Sequence, residues 1–185
     1  MKYKDLANQI INCTNCPLSE TRQHSVVGDG DLKSKILFVG EAPGKNEDLQ
    51  GIPFVGASGQ LFNSYLDILD LTRKDIYLTN VVKCRPPQNR DPKPNEVQAC
   101  IPYLRMQYRM MSPTIVVCLG RIAAGQLMKK NIRIMQEHGT WLQKNNTWFM
   151  ATLHPSALLR NPDNRPLVLN DMLAIKEKIN ALKIN

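Results

Sequence analysis

Apolar residues fall into two patterns along this chain. Short runs of apolar and β-branched residues predict buried strands at 35–39, 76–82 and 114–119, and a short β excursion at 139–153 ends in a fourth buried strand. Between these runs, apolar residues recur at helical spacing, which predicts helices at about 3–12, 60–70, 95–111, 120–128 and 166–182. Strands and helices therefore alternate along most of the chain.

This alternation is typical of a parallel sheet covered by helices on both faces. We predict an α/β fold, a three-layer α/β/α sandwich with a central, mainly parallel four-stranded sheet. The length is enough for a single domain, 1–185, and a 43% share of hydrophobic residues is ordinary for a globular protein. In such sheets, ligands bind beyond the carboxyl ends of the strands. We therefore expect the loops at Gly40, at 80–82 and at His154 to gather along one edge.

The loop between the first predicted strand and the next helix is rich in residues that shape turns. Residues 40–59 contain five glycines, two prolines, three acidic residues and one phenylalanine. A loop of this length inside a compact domain is usually functional. A long surface turn without a ligand is the alternative.

Charge adds a weak indication of the partner. Lysine and arginine total 24 against 16 acidic residues, which gives a net charge of +8 and a pI near 9.4. Such a charge suits a polyanion such as a nucleic acid without proving one. No apolar run approaches the about 20 residues of a membrane-spanning helix, and the first residues lack the apolar region of a signal peptide. We therefore expect a cytoplasmic protein that has no membrane partner.

The five cysteines fall into two groups. Cys13 and Cys16 have the short spacing of metal ligands, whereas Cys84 and Cys100 lie far downstream on either side of a proline-rich loop. In a reducing compartment, these four favour metal ligation or buried thiols over disulfides, and zinc, an iron–sulfur cluster and a redox pair all remain open. Cys118 lies inside an apolar strand, where we expect a buried, inert thiol.

Three groups of motifs carry a resemblance to a known family. The first combines Gly40-Glu-Ala-Pro-Gly44, Glu47-Asp48 and Gly51-Ile-Pro-Phe-Val-Gly56. The second is Thr79-Asn-Val-Val-Lys-Cys-Arg-Pro-Pro87, and the third is His154-Pro-Ser156. Together they resemble the family 4 uracil-DNA glycosylases, the iron–sulfur branch of the uracil-DNA glycosylase superfamily. The resemblance runs from the first cysteine to about residue 160.

The resemblance implies an enzyme of DNA repair. Such enzymes flip a deoxyuridine out of uracil-containing DNA and hydrolyse its N-glycosidic bond. Free uracil leaves, and the abasic site that remains initiates base excision repair. The resemblance also implies a structural 4Fe-4S cluster on Cys13, Cys16, Cys84 and Cys100. We expect a monomer that acts on single- or double-stranded DNA.

The resemblance assigns the uracil pocket to the strand ends. Phe54 is the platform on which the flipped base stacks, with a plain core residue as the alternative. The Asn80 amide accepts from uracil N3–H and donates to O4, a pattern that cytosine reverses. The alternative is a strand-end asparagine bonded to neighbouring backbone. His154 donates to uracil O2 as negative charge develops, with a satisfied strand-end histidine as the alternative. Gly40 and Ala42 belong to the same substrate-binding set.

Water activation is the least defined part of the implied mechanism. Where the better-known branch of the superfamily has Gly-Gln-Asp-Pro-Tyr, this chain has Ala42 in place of the aspartate and Gly44 in place of the tyrosine. Glu41 and Glu47 are then the catalytic candidates for orienting water or stabilising the sugar cation, and both also belong to the substrate-binding set. Glu47 is also a candidate for crowding a thymine methyl group.

The implied DNA surface combines basic and apolar residues. The arginines of this set are candidates for phosphate contacts, and the two leucines are candidates for a wedge that fills the gap left by the flipped base. The full set of expected DNA contacts is Arg85, Arg90, Ser156, Leu158, Leu159 and Arg160.

Two other functions compete with glycosylase activity. A binding protein could use the same pocket without turnover, and its nearest version links covalently to a uracil site through a histidine in an arginine-rich insert. That branch has Gly-Glu-Gln-Pro-Gly where this chain has Ala42, and no such insert is evident between 82 and 100. The third candidate is a non-enzymatic iron–sulfur or zinc module of nucleic-acid metabolism. Release of free uracil from an oligonucleotide separates all three.

Overall fold

A six-stranded sheet forms the centre of the fold. The computed structural model describes residues 2–128 and 131–184. The strands are β1 (Asp29–Gly30), β2 (Ile36–Gly40), β3 (Tyr77–Asn80), β4 (Ile115–Leu119), β5 (Trp141–Lys144) and β6 (Thr147–Thr152). Their order across the sheet is β1-β3-β2-β4-β6-β5.

Helices precede, connect and follow these strands. They are α1 (Tyr3–Ile11), α2 (Leu18–Thr21), α3 (Lys45–Gln50), α4 (Ala57–Ile68), α5 (Pro94–Met111), α6 (Arg121–Leu127), α7 (Ile134–Glu137), α8 (Pro155–Arg160) and α9 (Arg165–Ala181), with short 3-10 turns at Pro87–Asn89 and Pro162–Asn164. Within residues 2–128 and 131–184, every helix is too short or too polar to span a bilayer.

The four central strands, β3, β2, β4 and β6, run parallel, as predicted. In this register Gly40 lies beside Asn80 at the carboxyl edge of the sheet. On the other side of β2, the last residue of β4 pairs with Thr152, two residues before His154. The register therefore brings the ends of the predicted site-bearing strands to one edge.

The prediction of a four-stranded sheet is corrected to six strands. The antiparallel strands β1 and β5 extend the sheet at its two edges. β1 consists of one aspartate and one glycine, so it gives no apolar signal. The predicted β excursion at 139–153 forms the β5–β6 hairpin, whose outer strand is partly exposed.

Apolar side chains fill both faces of the sheet because the central strands are buried on each side. Leu37 of β2 belongs to one core together with Leu104 of α5. The next residue, Phe38, belongs to a second core with Phe62 of α4 and Met172 of α9. Alternate residues of one strand thus contribute to two helix-covered cores, and the predicted three-layer α/β/α architecture is confirmed.

Two of the short helices that lie outside the predicted elements shape the carboxyl edge. α3 lies inside the predicted loop 40–59 and ends at Gly51, whose positive φ of 71° favours glycine. Its six residues are almost all polar, so they give no helical pattern of apolar positions. α8 begins directly after His154 with Pro155 in its first turn, where proline is well tolerated.

Candidate active site

A cavity of about 640 Å³ opens at the carboxyl edge of the sheet. The loops that follow β2, β3, β4 and β6 all contribute to its wall, as expected of a site in an open α/β sheet. Its volume is typical of a pocket for a small molecule or a single base. The predicted site residues that line it are Glu41, Ala42, Glu47, Phe54, Asn80, Arg90, His154, Ser156 and Arg160.

Gly40 lies behind this wall, where there is no room for a side chain. A Cβ atom on Gly40 would lie 2.4 Å from Asn80 Oδ1 and 2.7 Å from the Phe54 ring. Such distances are far below van der Waals contact, so any larger residue would displace both groups. Gly40 therefore acts through packing, and it sets how closely Asn80 and Phe54 approach each other.

The Phe54 ring lies next to His154 inside the site. The two ring centroids are 5.6 Å apart, and the ring planes are inclined at 34°. Phe54 has a φ of 54°, which is uncommon for a residue with a side chain. The Arg73 side chain donates hydrogen bonds to the carbonyls of Pro53 and Phe54 and so stabilises this conformation. Phe54 contacts the core as well as the cavity. Its two interpretations, as a stacking platform and as a core residue, therefore each describe part of its environment.

Asn80 lies at the cavity wall with its side chain buried. Asn80 is 1% exposed, and its Oδ1 atom has no hydrogen-bond partner among the described residues. Leaving a buried acceptor unpaired costs about 1–3 kcal/mol. No bond from this oxygen to neighbouring backbone occurs, so a purely structural strand-end role leaves the oxygen unexplained. A ligand N–H placed against Oδ1 would satisfy it.

The hydrogen bonds of His154 determine which ring nitrogen can donate. Nδ1 lies 3.1 Å from the Ser156 backbone nitrogen, which can only donate, so Nδ1 must accept. Burial and the nearby Arg160 charge lower the pKa of His154 to about 4. The ring is therefore neutral at neutral pH, and its single hydrogen is on Nε2. His154 can donate to a ligand oxygen without carrying a charge.

This pKa shift predicts a pH dependence of stability. Between pH 6.5 and 4 the unfolded chain protonates His154 while the folded chain does not, so the free energy of unfolding should decrease as the pH falls. Replacing His154 with asparagine should remove about 1–2 kcal/mol of the difference in unfolding free energy between pH 7.5 and pH 5.

Urea unfolding of both proteins at the two pH values measures this difference. An equal difference in His154→Asn and the parent would contradict the assignment.

Glu41 is the acidic residue of the site with a shifted pKa. Burial raises the pKa of the Glu41 carboxyl to about 7, and the nearby Asp91 acts in the same direction, whereas Arg121 and Arg160 oppose the shift. Asp91 and Arg121 themselves form an ion pair at the cavity wall. A carboxyl group with a pKa near neutrality can accept or donate a proton at physiological pH.

Glu47 holds the loop that carries Phe54. One carboxylate oxygen accepts from the backbone N–H groups of Val55 at 2.9 Å and Gly56 at 2.8 Å, and the other accepts from Gly44 at 3.1 Å. These three hydrogen bonds connect the start of α3 to the start of α4. Glu47 thus has a clear positioning role in the structure, and its catalytic role stays a prediction.

The structure distinguishes between the two leucines predicted to form a wedge. Leu159 is 46% exposed on α8 and remains a candidate. Leu158 is only 1% exposed and packs in the core that contains Phe62, so its predicted contact with DNA is corrected to a core role. In a helix, adjacent residues face different directions, and only the fold shows which one points inward.

The predicted basic contacts differ in their partners. Arg90 donates to both carboxylate oxygens of the buried Glu96, at 2.8 and 2.6 Å, while its side chain stays 34% exposed. Arg85 donates to Asn89 at 2.7 Å within the proline-rich loop. Arg160 is exposed at the cavity wall, and Ser156 lies between it and His154 along α8. Contact of these residues with DNA stays a prediction.

The four predicted metal-ligating cysteines come together at a second place, separate from the cavity at the carboxyl edge. Cys13, Cys16, Cys84 and Cys100 line one small cavity of about 10 Å³. Hydrogen-bond donors point at the thiols: Arg22 reaches Cys84 Sγ at 3.0 Å, and the Lys83 backbone N–H reaches Cys100 Sγ at 3.2 Å. Such donors stabilise negative charge on sulfur.

The four cysteine side chains are not arranged as the ligand shell of a single metal ion. Within residues 2–128 and 131–184, no three His, Cys, Asp or Glu side chains converge as one metal ion requires. The cavity has room for about one water molecule, so side chains must rotate to admit a larger group. The donor set, four thiols with N–H groups directed at three of them, fits an iron–sulfur cluster in its chemistry.

Cys118 is separate from this set, as predicted. It lies in β4 with no exposed surface. Burial raises the pKa of its thiol to about 12, so it stays protonated and unreactive at neutral pH.

Several residues around the site were not identified from the sequence. Arg73 and Glu96 hold site residues through hydrogen bonds, and no motif marks either of them, because charged residues are common in any sequence. Lys83 did carry a signal, because it is a lone charged residue directly after the apolar run 76–82. It is 1% exposed in the structure.

Comparison with known proteins agrees with this site. The family model of the Uracil DNA glycosylase superfamily matches residues 27–180. The chain is 40% identical to a type-4 uracil-DNA glycosylase of Saccharolobus solfataricus over 97% of this chain and 87% of the relative. It is 40% identical to one of Archaeoglobus fulgidus, over 94% and 91% of the two chains, and 41% identical to one of Thermotoga maritima, over 94% and 93%. The chain therefore belongs to the uracil-DNA glycosylase superfamily, and within it to the type-4 family.

Proposed function

We propose that this protein is a monofunctional uracil-DNA glycosylase that starts base excision repair. The observation that supports it most directly is the Asn80 side chain, whose buried Oδ1 has no partner among the described residues and which lines the cavity together with an aromatic ring and a neutral histidine. A flipped uracil offers a partner for each of these groups. Its N3–H can donate to Asn80, its flat face can stack on the aromatic ring, and its carbonyl oxygen can accept from the histidine. Base flipping brings such a base out of the stack.

Recognition of the base follows from the amide of Asn80. Oδ1 accepts from uracil N3–H, and Nδ2 donates to O4. Cytosine has an acceptor at N3 and an amino group at position 4, so both contacts become repulsive. Phe54 stacks on the base and adds about 1–3 kcal/mol that does not depend on base identity. Gly40 keeps the two contacts close enough to act on one base.

Bond cleavage is assisted where negative charge develops. As the glycosidic bond breaks, the uracil acquires negative charge, and the Nε2–H of His154 stabilises it at O2. A neutral donor is useful here because it is already in place and does not bind the product anion too tightly. The sugar becomes cation-like, and water captures it, so no covalent enzyme intermediate forms. Glu41, with a pKa of about 7, is the candidate for orienting that water.

We further propose that Cys13, Cys16, Cys84 and Cys100 hold a 4Fe-4S cluster. Membership of the type-4 family and the four-thiol donor set support this. When bound, the cluster supplies cross-links between the N-terminal segment, the turn after β3 and α5. The same cross-links shape the proline-rich loop, which carries Arg85 and Arg90.

The proposed partner is uracil-containing DNA, bound by a cytoplasmic monomer. We expect DNA affinity to fall steeply with salt, because the chain carries a charge of +8 and contacts phosphates through basic side chains. Arg160→Gln should reduce the slope of log affinity against log salt by about 0.9. Fluorescence anisotropy at a series of salt concentrations measures the slope.

Arg109→Gln is the matched control. Arg109 is an exposed arginine in the last turn of α5, which leads to the start of β4 and therefore to the opposite edge of the sheet. Its slope should equal that of the parent. Equal slopes for Arg160→Gln and the parent would remove Arg160 from the DNA surface.

The proposed activity is tested with a uracil-containing oligonucleotide. A monofunctional glycosylase should produce free uracil and an abasic strand that stays intact until it is treated with alkali. A binding protein would retain the base without release, and a trapping relative would form a covalent adduct.

A further inference from the structure

A buried lysine lies between the two sites described above. Lys83 is in the turn that connects Asn80 to Cys84, and it is 1% exposed. Among the described residues, no carboxylate forms an ion pair with it. Burying a lysine side chain without such a partner costs free energy, so its hydrogen bonds must offset that cost.

The side chain of Lys83 turns back onto the end of β3. Its Nζ donates to the backbone carbonyl of Asn80 at 2.7 Å, to Thr79 Oγ1 at 2.6 Å and to Gln107 Oε1 at 2.7 Å. An ammonium group has three hydrogens, and these three acceptors use all of them. One of the three bonds is made directly to the peptide of the base-reading residue.

Both ends of this connection are anchored by α5. Gln107 donates to the Val27 carbonyl at 2.8 Å and to the Tyr77 hydroxyl at 3.1 Å, which fixes the oxygen that Lys83 contacts. Two helical turns earlier, Cys100 accepts from the backbone N–H of Lys83 at 3.2 Å. Lys83 therefore contacts the four-cysteine site through its backbone and Asn80 through its side chain.

We propose that Lys83 is a positioning residue for base recognition. Its side chain fixes the Asn80 peptide, and with it the direction of the Asn80 amide, relative to α5 and the cysteine site. This inference rests on the proposed glycosylase function. A displacement of about 1 Å in a catalytic group can cost on the order of a hundredfold in rate, so a small movement of Asn80 should be measurable.

The test variant is Lys83→Met, which fills a similar volume but donates no hydrogen bonds. We expect its single-turnover rate of uracil release to fall about ten- to a hundredfold. Its iron content and its affinity for uracil-free DNA should stay at the parent values, because the cysteines and the basic surface are unchanged. Lys33→Met, which changes an exposed lysine in the loop before β2, is the control and should keep the parent rate.

A double-mutant cycle with Asn80→Ala separates positioning from general structural support. If Lys83 acts through Asn80, Lys83→Met should change the rate by less than about twofold once the Asn80 amide is absent. Two results would overturn the proposal: a parent rate in Lys83→Met, or the same multiple of rate loss in both backgrounds.

A second variant covers the case in which Lys83→Met does not fold. Gln107→Leu keeps the lysine and its bond to Asn80 but removes one anchor, so we expect a several-fold loss that disappears in the Asn80→Ala background. A loss that persists there would overturn the proposal. If the parent protein itself releases no uracil, the proposed function fails instead, so the two failures are distinguishable.

Discussion

Asn80→Asp should reduce uracil excision about ten- to a hundredfold, the equivalent of one lost and partly repulsive hydrogen bond in a closed pocket. The substitution replaces the Nδ2 donor with a second acceptor, which faces O4 of uracil. The same acceptor can receive the amino group of cytosine, so the ratio of cytosine to uracil release should rise. Single-turnover rates on uracil- and cytosine-containing strands measure both effects.

Two comparisons make this result specific to base recognition. Asn146→Asp adds the same charge at an exposed position in the β5–β6 turn and should keep the parent rate. His154→Ala should slow uracil release without changing base preference, because it acts on O2, which both pyrimidines carry. If Asn80→Asp releases uracil at the parent rate, Asn80 is a structural strand-end residue and the assignment of the pocket is wrong.

Cys84→Ala should remove most of the bound iron and reduce the yield of folded protein. Parent protein prepared without oxygen should be yellow-brown and contain about four irons per chain. Cys84 follows the turn after β3 and lies close to both the N-terminal cysteines and Cys100, so its loss disconnects segments that are distant along the chain. Metal analysis and the visible absorption spectrum give the iron content.

Cys118→Ala is the matched control for this variant. It removes a fully buried thiol that lies outside the small cavity, so iron content should stay at the parent value. One tightly bound zinc and no iron in anaerobically prepared parent protein would contradict the cluster. Equal iron in Cys84→Ala and the parent would remove Cys84 from the ligand set.

The sequence predicted the parallel centre of the sheet because buried strands produce continuous apolar runs. It also predicted that the loops at Gly40, at 80–82 and at His154 would meet, since parallel strands have their carboxyl ends at one edge. Elements whose stability does not depend on an apolar pattern were missed. α3 is short and polar, and it is held by hydrogen bonds from Gly44, Val55 and Gly56 to a single carboxylate.

The motifs placed Asn80 and His154 at the carboxyl edge, where both line the cavity, and their chemical roles stay predictions. Their hydrogen-bond states were not predictable, because the unpaired Oδ1 and the Nδ1 acceptor depend on neighbours that only the fold brings close. Leu158 shows the same limit for burial, since a sequence cannot tell which of two adjacent leucines faces the core. Lys83 has a role that depends on Gln107, 24 residues away along the chain.

We infer that the cavity at the carboxyl edge excises uracil selectively. The most direct measurement is the identification of free bases after single-turnover incubation with matched strands that contain one uracil, one thymine or one cytosine at the same position. We expect free uracil with an abasic strand from the first substrate and no base from the other two. Tight binding of the uracil strand without free uracil, or equal release of thymine, would contradict it.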